Sequence, residues 1–134
     1  MIVINKIVSS YFLVKAKTAL SNRDNLLALE LVKKAEQYDE SYDVYIYKGL
    51  SEFLLKEFDN SVVSLQYGIQ LIKSNQKLTF DEKKYLEYYT LDILLENLNI
   101  IKKYENIEKY ESYFRNLKFD KKKVRKRILK WFPL

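Results

Sequence analysis

The chain has 134 residues, enough for one domain with a real hydrophobic core. It contains only 2 Gly and 1 Pro, while 48% of its residues are hydrophobic, so turns are too few for a many-stranded sandwich or barrel and we expect an all-α fold. Because Cys and His are both absent from the sequence, disulfides, thiol nucleophiles, histidine-based catalysis and zinc sites built on thiolate or imidazole are excluded.

Positive charge is concentrated near the C-terminal end. The formal net charge is +6, and residues 118–134 hold eight Lys or Arg against one Asp, so residues 1–117 are nearly neutral. No stretch has the roughly 20 apolar residues that span a bilayer, and the apolar run at residues 7–14 is too short for a secretory signal. We therefore expect a soluble, cytoplasmic protein.

Apolar residues recur at helical spacing along most of the chain, interrupted by short polar clusters. The predicted helices cover residues 2–20, 24–38, 42–56, 59–73, 80–102, 104–117 and a short stretch after residue 120 that Pro133 stops. Ser21, Asn22 and Asp24 can cap the second helix, and Asp120 can cap the seventh.

Two other helix starts carry recognisable capping chemistry. Asp59 is expected to cap the fourth helix, with Phe58 just outside it packing on Val63 as a hydrophobic staple. Thr79 and Glu82 match the capping box that opens a long fifth helix.

Superimposing the first two helix pairs reveals a repeat of 33 residues, in which small residues fall on small ones and bulky residues on bulky ones. The matched positions are Phe12 with Tyr45, Leu13 with Ile46, Ala16 with Gly49, Ala28 with Ser61, Val32 with Leu65, and Ala35 with Gly68. Small residues let antiparallel helices approach closely, and bulky ones fill the gap to the neighbouring pair. The repeat therefore predicts stacked helix pairs.

This pattern resembles the tetratricopeptide repeat family, in which an aromatic residue is followed four positions later by a small one, and the second helix carries small, bulky and small residues. The second copy also places Phe58-Asp59-Asn60 in the turn where the family has an aromatic and acidic residues. A third, degenerate copy with Glu111 at a bulky position covers Leu91, Leu95, Leu98, Ile107 and Phe114, with Tyr104-Glu105-Asn106 as its turn. An unrelated array of helical hairpins is the rival interpretation.

The resemblance implies a short right-handed superhelix of six or seven helices, with residues 1–117 as the repeat domain, in which the first helix of each pair lines a concave groove. The implied partner-binding candidates are Ser10, Leu13, Lys17, Asp43, Ile46, Leu50, Phe53, Tyr89, Asp92, Glu96 and Asn99. Their modest negative excess favours a basic or mixed peptide with apolar anchors. The alternative for each residue is an ordinary core or solvated position.

Residues 118–134 form a separate basic segment whose residues Val124, Ile128, Trp131 and Phe132 share one helical stripe. We expect this segment to cap the end of the stacked pairs. Binding to an anionic membrane surface or to nucleic acid through phosphate contacts stays open as an alternative. The residues of that alternative site are Lys121, Lys122, Lys123, Arg125, Lys126, Arg127, Lys130 and Trp131.

Other polar clusters carry weaker signals. Glu36, Asp39, Glu40 and Asp43 lie around one turn, but their spacing matches no calcium loop, so a solvated acidic turn is expected. The sequence has no Gly-rich phosphate loop and no pair of residues spaced as acid and base. We expect no enzymatic activity, no cofactor and no metal.

The combined prediction is a non-enzymatic protein- or peptide-binding module, an adaptor or scaffold, with homodimerisation through the first or last helix as a further expectation. A second hypothesis is a peptide-sensing partner in a bacterial regulatory system, because related repeats sense signalling peptides when fused to a DNA-binding domain. A third is a basic-tail protein that docks on anionic membrane or nucleic acid.

Overall fold

The computed structural model describes residues 2–103, 105 and 107–134, and all regular structure among them is helical. The α-helices are α1 (Ile2–Ser21), α2 (Asn25–Tyr38), α3 (Tyr42–Leu54), α4 (Phe58–Ser74), α5 (Phe80–Ile101), α6 (Ile107–Asn116) and α7 (Lys126–Trp131), with a 3₁₀ turn at Lys121–Lys123. The all-α prediction is confirmed. Among the described helices, none combines the length and the apolar character needed to cross a bilayer.

Two of the predicted helix caps are present. The side chain of Asp24 accepts a hydrogen bond from the Leu27 amide at the start of α2, over 3.2 Å. At the start of α5, the Glu82 amide donates to Thr79 Oγ1 over 3.2 Å, and the Thr79 amide donates to Glu82 Oε1 over 3.1 Å. This reciprocal pair satisfies two amides that the helix cannot satisfy itself.

The predicted start of α4 is wrong. Lys56 adopts a left-handed conformation with φ of 64°, and the helix then begins at Phe58, so Asp59 lies inside the first turn rather than before it. The Asp59 carboxylate pairs instead with Lys103, at 2.9 Å. Phe58 contacts the ring of Phe53 at 5.8 Å between centroids, and Val63 is 66% exposed, so no staple forms.

The ends of the last two helices also differ from prediction. Asp120 accepts a hydrogen bond from the Lys122 amide and therefore caps the 3₁₀ turn, whereas α7 begins only at Lys126. Helix α6 begins at Ile107. The predicted turn over Tyr104-Glu105-Asn106 and the predicted helix start at Tyr104 rest on Tyr104 and Asn106, which lie outside the described residues.

Successive helices pack in chain order, from α1 on α2 through α5 on α6. In addition, α1 contacts α3 and α3 contacts α5, so the odd-numbered helices lie side by side. The apolar core has two parts. One joins α1, α2, α3 and the start of α5 to the C-terminal residues, and the other joins α4 to the second half of α5 and to α6.

The small residues of the repeat lie at helix contacts. Ala16, Ala28 and Ala35 are completely buried, and the Ser61 hydroxyl donates to the Gly49 carbonyl over 2.6 Å. A Cβ atom on Gly49 would lie 2.5 Å from Leu65 Cγ, closer than real side chains approach. Helices α3 and α4 can therefore approach to this distance only because position 49 has no side chain.

Candidate functional site

The C-terminal residues lie against the odd-numbered helices. We call residues 124–132 the tail segment, and the face of α1, α3 and α5 that it covers the inner face. Val124, Ile128 and Phe132 of the tail segment are buried in the first part of the core. The apolar stripe predicted from the sequence is thus the side of the tail segment that faces the protein.

Aromatic side chains surround the end of the tail segment. The Phe132 ring lies 5.3 Å from the Tyr47 ring and 5.4 Å from the Tyr89 ring, between centroids. The Trp131 ring lies 5.9 Å from Tyr47 in an edge-to-face arrangement, and the Lys17 ammonium lies 4.7 Å from its centroid. These geometries are favourable for aromatic pairs and for a cation over a ring.

Three side chains of the inner face also bind consecutive backbone carbonyls of the tail segment. Lys17 Nζ donates to the Lys130 carbonyl over 3.4 Å, the Tyr47 hydroxyl donates to the Trp131 carbonyl, and the Tyr85 hydroxyl donates to the Phe132 carbonyl over 2.5 Å. Carbonyls at the end of a helix have no partner within the helix. One side chain each from α1, α3 and α5 therefore donates a hydrogen bond to a backbone carbonyl of the tail segment. Every peptide segment has such carbonyls.

An ion pair holds the other end of the tail segment. Arg125 donates from Nε to Glu82 Oε2 over 2.7 Å and from Nη2 to Glu82 Oε1 over 3.0 Å. Burial would raise the pKa of Glu82, but the hydrogen bonds from Arg125 and from the Thr79 amide outweigh burial and hold the pKa at about 2. Glu82 therefore caps α5 and binds the tail segment with the same carboxylate.

An open cavity of about 770 Å³ continues from the tail segment along the N-terminal half of α1. Asp39, Glu40 and Asp43 are among the lining residues, as are Arg125 and Arg127. The cavity lining therefore contains both acidic and basic side chains beside the tail segment.

The acidic residues around the turn between α2 and α3 have different hydrogen-bond and ion-pair partners. Glu36 pairs with Lys48 at 3.0 Å, and the Tyr67 hydroxyl donates to Glu40 over 3.2 Å. The Asp43 carboxylate accepts from Ser41 and, over 3.1 Å, from the Val44 amide. Burial raises the pKa of Asp43 against the opposing effect of these hydrogen bonds. Burial therefore disfavours the charged form of the Asp43 carboxylate.

The structure brings some of the predicted groove residues together. Lys17 and Tyr89 contact the tail segment, Leu50 packs against the same core, and Asp43 lines the cavity with Ser10 and Leu13. Ile46 is completely buried beside Gly68 of α4, and Phe53 packs on Phe58 at the other end of α3. Asp92, Glu96 and Asn99 are exposed on α5, away from the cavity lining.

The predicted basic surface divides in two. Arg125 pairs with Glu82, and Trp131 is half-buried against Tyr47. The remaining cations of this surface are exposed, and they are Lys121, Lys122, Lys123, Lys126, Arg127 and Lys130.

Sequence reasoning missed three contacts of the inner face, those of Tyr47, Tyr85 and Glu82. Tyr85 had the spacing of an ordinary packing residue, and Glu82 was recognised only as part of a capping box. Each reaches a residue more than 40 positions away, so no local pattern could have identified the pair.

Comparisons with protein-family models, with curated proteins and with solved structures found no match to this chain. Function is therefore inferred from the chemistry of the inner face and the tail segment.

Proposed function

We propose that the chain is a non-enzymatic helical-repeat module, similar to tetratricopeptide repeats, whose inner face binds a short protein or peptide segment. The order of helix packing supports the repeat interpretation. The buried small residues at matching positions in the first hairpin (α1 and α2) and the second hairpin (α3 and α4) support it as well. In such repeats the first helices of each pair line the binding surface. Here those helices are α1, α3 and α5. Helix α3 contacts both α1 and α5, and the three helices together form the inner face.

One observation carries the proposal: the inner face already holds a short segment of chain. It binds that segment through an aromatic pocket for Phe132, a bidentate carboxylate for Arg125, and donors to three backbone carbonyls. Backbone contacts give affinity without regard to sequence, and side-chain pockets add specificity. The preferred partner is therefore a segment with the same chemistry, an arginine followed six and seven residues later by two aromatic residues.

An external segment would compete with the tail segment. Because the tail segment is tethered, its effective concentration at the inner face is on the order of millimolar, so the resident contact must be weakened before binding in trans can be measured. Arg125→Lys does this mildly, since lysine keeps the charge but loses the bidentate geometry. The full chain with Arg125→Lys is therefore the receptor for the test.

Trp131 is the single tryptophan of the chain, so its emission reports whether the tail segment leaves the inner face. The titrant is a synthetic peptide of residues 118–134 carrying Trp131→Phe, which is silent when tryptophan alone is excited. We expect a saturable red shift of Trp131 emission as the peptide displaces the tail segment. A peptide that also carries Phe132→Ala should have little effect, while one with the exposed Lys126→Ala should act like the parent.

The proposal is overturned if Trp131 emission stays unchanged up to millimolar peptide while circular dichroism shows a folded receptor. It is also overturned if the Phe132→Ala peptide displaces the tail segment equally well, because binding would then depend on charge alone.

A second candidate function, docking on anionic surfaces, is supported by the exposed cations at Lys121, Lys122 and Lys123 and by those of α7. Such binding is driven by charge and should fall steeply as salt rises, whereas the aromatic and backbone contacts of the inner face should be far less sensitive. Binding of the full chain to anionic vesicles and to duplex DNA across a salt series measures the difference. Charge reversal at Lys121 and Lys122 should abolish surface binding without changing peptide displacement.

A further inference from the structure

The side of α1 that faces away from the protein carries exposed apolar residues from Ile4 to Val14. We call Ile4, Ile7, Tyr11, Val14 and Thr18 the outer face of α1. Its four apolar side chains are 60%, 63%, 55% and 50% exposed, in that order. They recur at alternating spacings of three and four residues, which is the spacing that packs one helix along another.

The repeat allows the outer face of α1 to be compared with the equivalent positions of α3. The positions 33 residues after Tyr11, Val14 and Thr18 are Val44, Tyr47 and Ser51, and all three are buried in α3. Val44 and Tyr47 are buried in the core that α3 shares with α1 and α2, and Tyr47 is also covered by Trp131 and Phe132 of the tail segment. In the second hairpin, the surface of α3 that is equivalent to the outer face of α1 is therefore covered by other parts of the protein.

We propose that this surface is covered by a second copy of the chain, with the two α1 helices antiparallel about a two-fold axis. The outer face is self-complementary in this arrangement, because Ile4 lies opposite Val14 of the second copy and Ile7 lies opposite its Tyr11. A symmetric contact of this kind closes on itself and produces a dimer. The interface is independent of the inner face and of the tail segment.

The positive charge of α1 favours the antiparallel orientation of the two helices. Helix α1 contains lysines but no acidic residue, and Lys15 lies at the border of the outer face. In a parallel pair the two Lys15 side chains would face each other. In the antiparallel pair, at 1.5 Å per residue, they are separated by roughly 18 Å along the axis, beyond the Debye length of about 8 Å at physiological salt.

The area of the outer face of α1 limits how tightly two copies of the chain can bind each other. Four apolar side chains that are at least half exposed amount to a few hundred Å² of each chain, so two copies would bury on the order of 1,000 Å² in total. That area is at the lower limit for a specific interface. We therefore expect a reversible dimer that dissociates in the micromolar range.

Analytical ultracentrifugation of the full chain, from low to high micromolar concentration, tests this directly. The parent chain should change from monomer to dimer as concentration rises. Ile7→Glu, at the centre of the outer face, should remain monomeric at every concentration with unchanged helicity. Tyr11→Lys provides a second variant with the same expected outcome.

Val63→Glu is the matched control. Val63 is an exposed apolar residue of α4, and the equivalent position of the first hairpin is already Glu30. This variant should dimerise like the parent chain. Equal loss of dimer in Val63→Glu and Ile7→Glu would overturn the proposal, since the effect would then follow surface charge rather than the outer face.

The lack of cysteine in the sequence allows the orientation to be tested as well. A disulfide should form between a chain carrying Ile7→Cys and one carrying Tyr11→Cys, and much less between two copies of either variant. Disulfides only between identical positions would show a parallel pair and overturn the geometry. A parent chain that is monomeric at all concentrations, or that binds anionic vesicles through the outer face while remaining monomeric, overturns the proposal.

Discussion

The first and second hairpins have matching residues 33 positions apart, yet their surroundings differ. Helix α3 of the second hairpin is buried on several sides, because α1, α2, α4 and the tail segment all contact it. In the first hairpin, α2 is buried along one stripe, which contains Ala28, Val32 and Ala35, while the outer face of α1 is exposed. The small residues at matching positions lie where helices approach each other, whereas the neighbours of each hairpin decide how much of each helix is covered.

Truncation of one leucine in each hairpin, a buried one and an exposed one, should give the largest difference in stability. Leu65 of α4 is completely buried, whereas Leu27 of α2 is 42% exposed. Leu65→Ala should lower the free energy of unfolding by about 3 kcal/mol, and Leu27→Ala by less than about 1 kcal/mol, because only the first leaves a cavity. Urea denaturation followed by circular dichroism measures both values. Similar losses would show that Leu27 is covered as well as Leu65 is.

Acid should loosen the contact that the tail segment makes near the second hairpin. A carboxyl group whose pKa is depressed in the folded state stabilises the fold above its ordinary pKa, and that contribution is lost as pH falls toward the folded pKa. For Glu82 the interval runs from 4.5 down to about 2. We expect a loss of about 2 kcal/mol across it, together with a red shift of Trp131 emission.

Glu82→Gln is the control for this pH dependence. Burial raises the pKa of Asp43 and of Glu52, so these two groups act in the opposite direction and the profile of the parent chain is a sum. The difference between the parent chain and Glu82→Gln isolates the contribution of Glu82. Parallel profiles for the two chains would contradict the assigned role of the Arg125 pair.

The two glycines of the second hairpin should respond to alanine with opposite signs. A Cβ at Gly49 would meet Leu65 at 2.5 Å, whereas a Cβ at Gly68 would meet Ile46 at an ordinary 3.6 Å. Gly68→Ala should stabilise the protein by up to about 1 kcal/mol through helix propensity, and Gly49→Ala should destabilise it by about 1 kcal/mol through overpacking. Thermal denaturation gives the signs, and the same sign for both would contradict the packing at Gly49.

The exposed ion pair between Asp59 and Lys103 should matter least. Both side chains are well exposed, so solvent screens the attraction. Lys103→Ala should change the free energy of unfolding by less than about 0.5 kcal/mol. A loss above about 1 kcal/mol in urea denaturation would show that this link between α4 and the end of α5 is more than a surface contact.

Local sequence patterns anticipated much of the fold, for identifiable reasons. The capping box of Thr79 and Glu82 depends on residues three apart in one turn, so its residue types suffice to identify it. The start of α4 was misplaced because the choice between Glu57 and Asp59 as its cap depends on the backbone angles at Lys56, which the residue types do not reveal.

The candidate site was anticipated less well. Asp43, Ile46 and Leu50 share a helical spacing and were expected to share one groove. The structure separates them, because α4 covers Ile46 while Asp43 opens into the cavity. Helical period shows which residues lie on one side of a helix, but it does not show which neighbouring helix will cover that side.

The amino-acid sequence alone determined the helices, their amphipathic stripes and the positions of the small residues at which helices approach each other. These features depend on local periodicity and side-chain volume. The position of the tail segment was decided by the tertiary structure. Lys17, Tyr47 and Tyr85 bind it across 113, 84 and 47 residues of chain. Those groups meet because the helices stack, and the position of each helix depends on all the surfaces that pack against it.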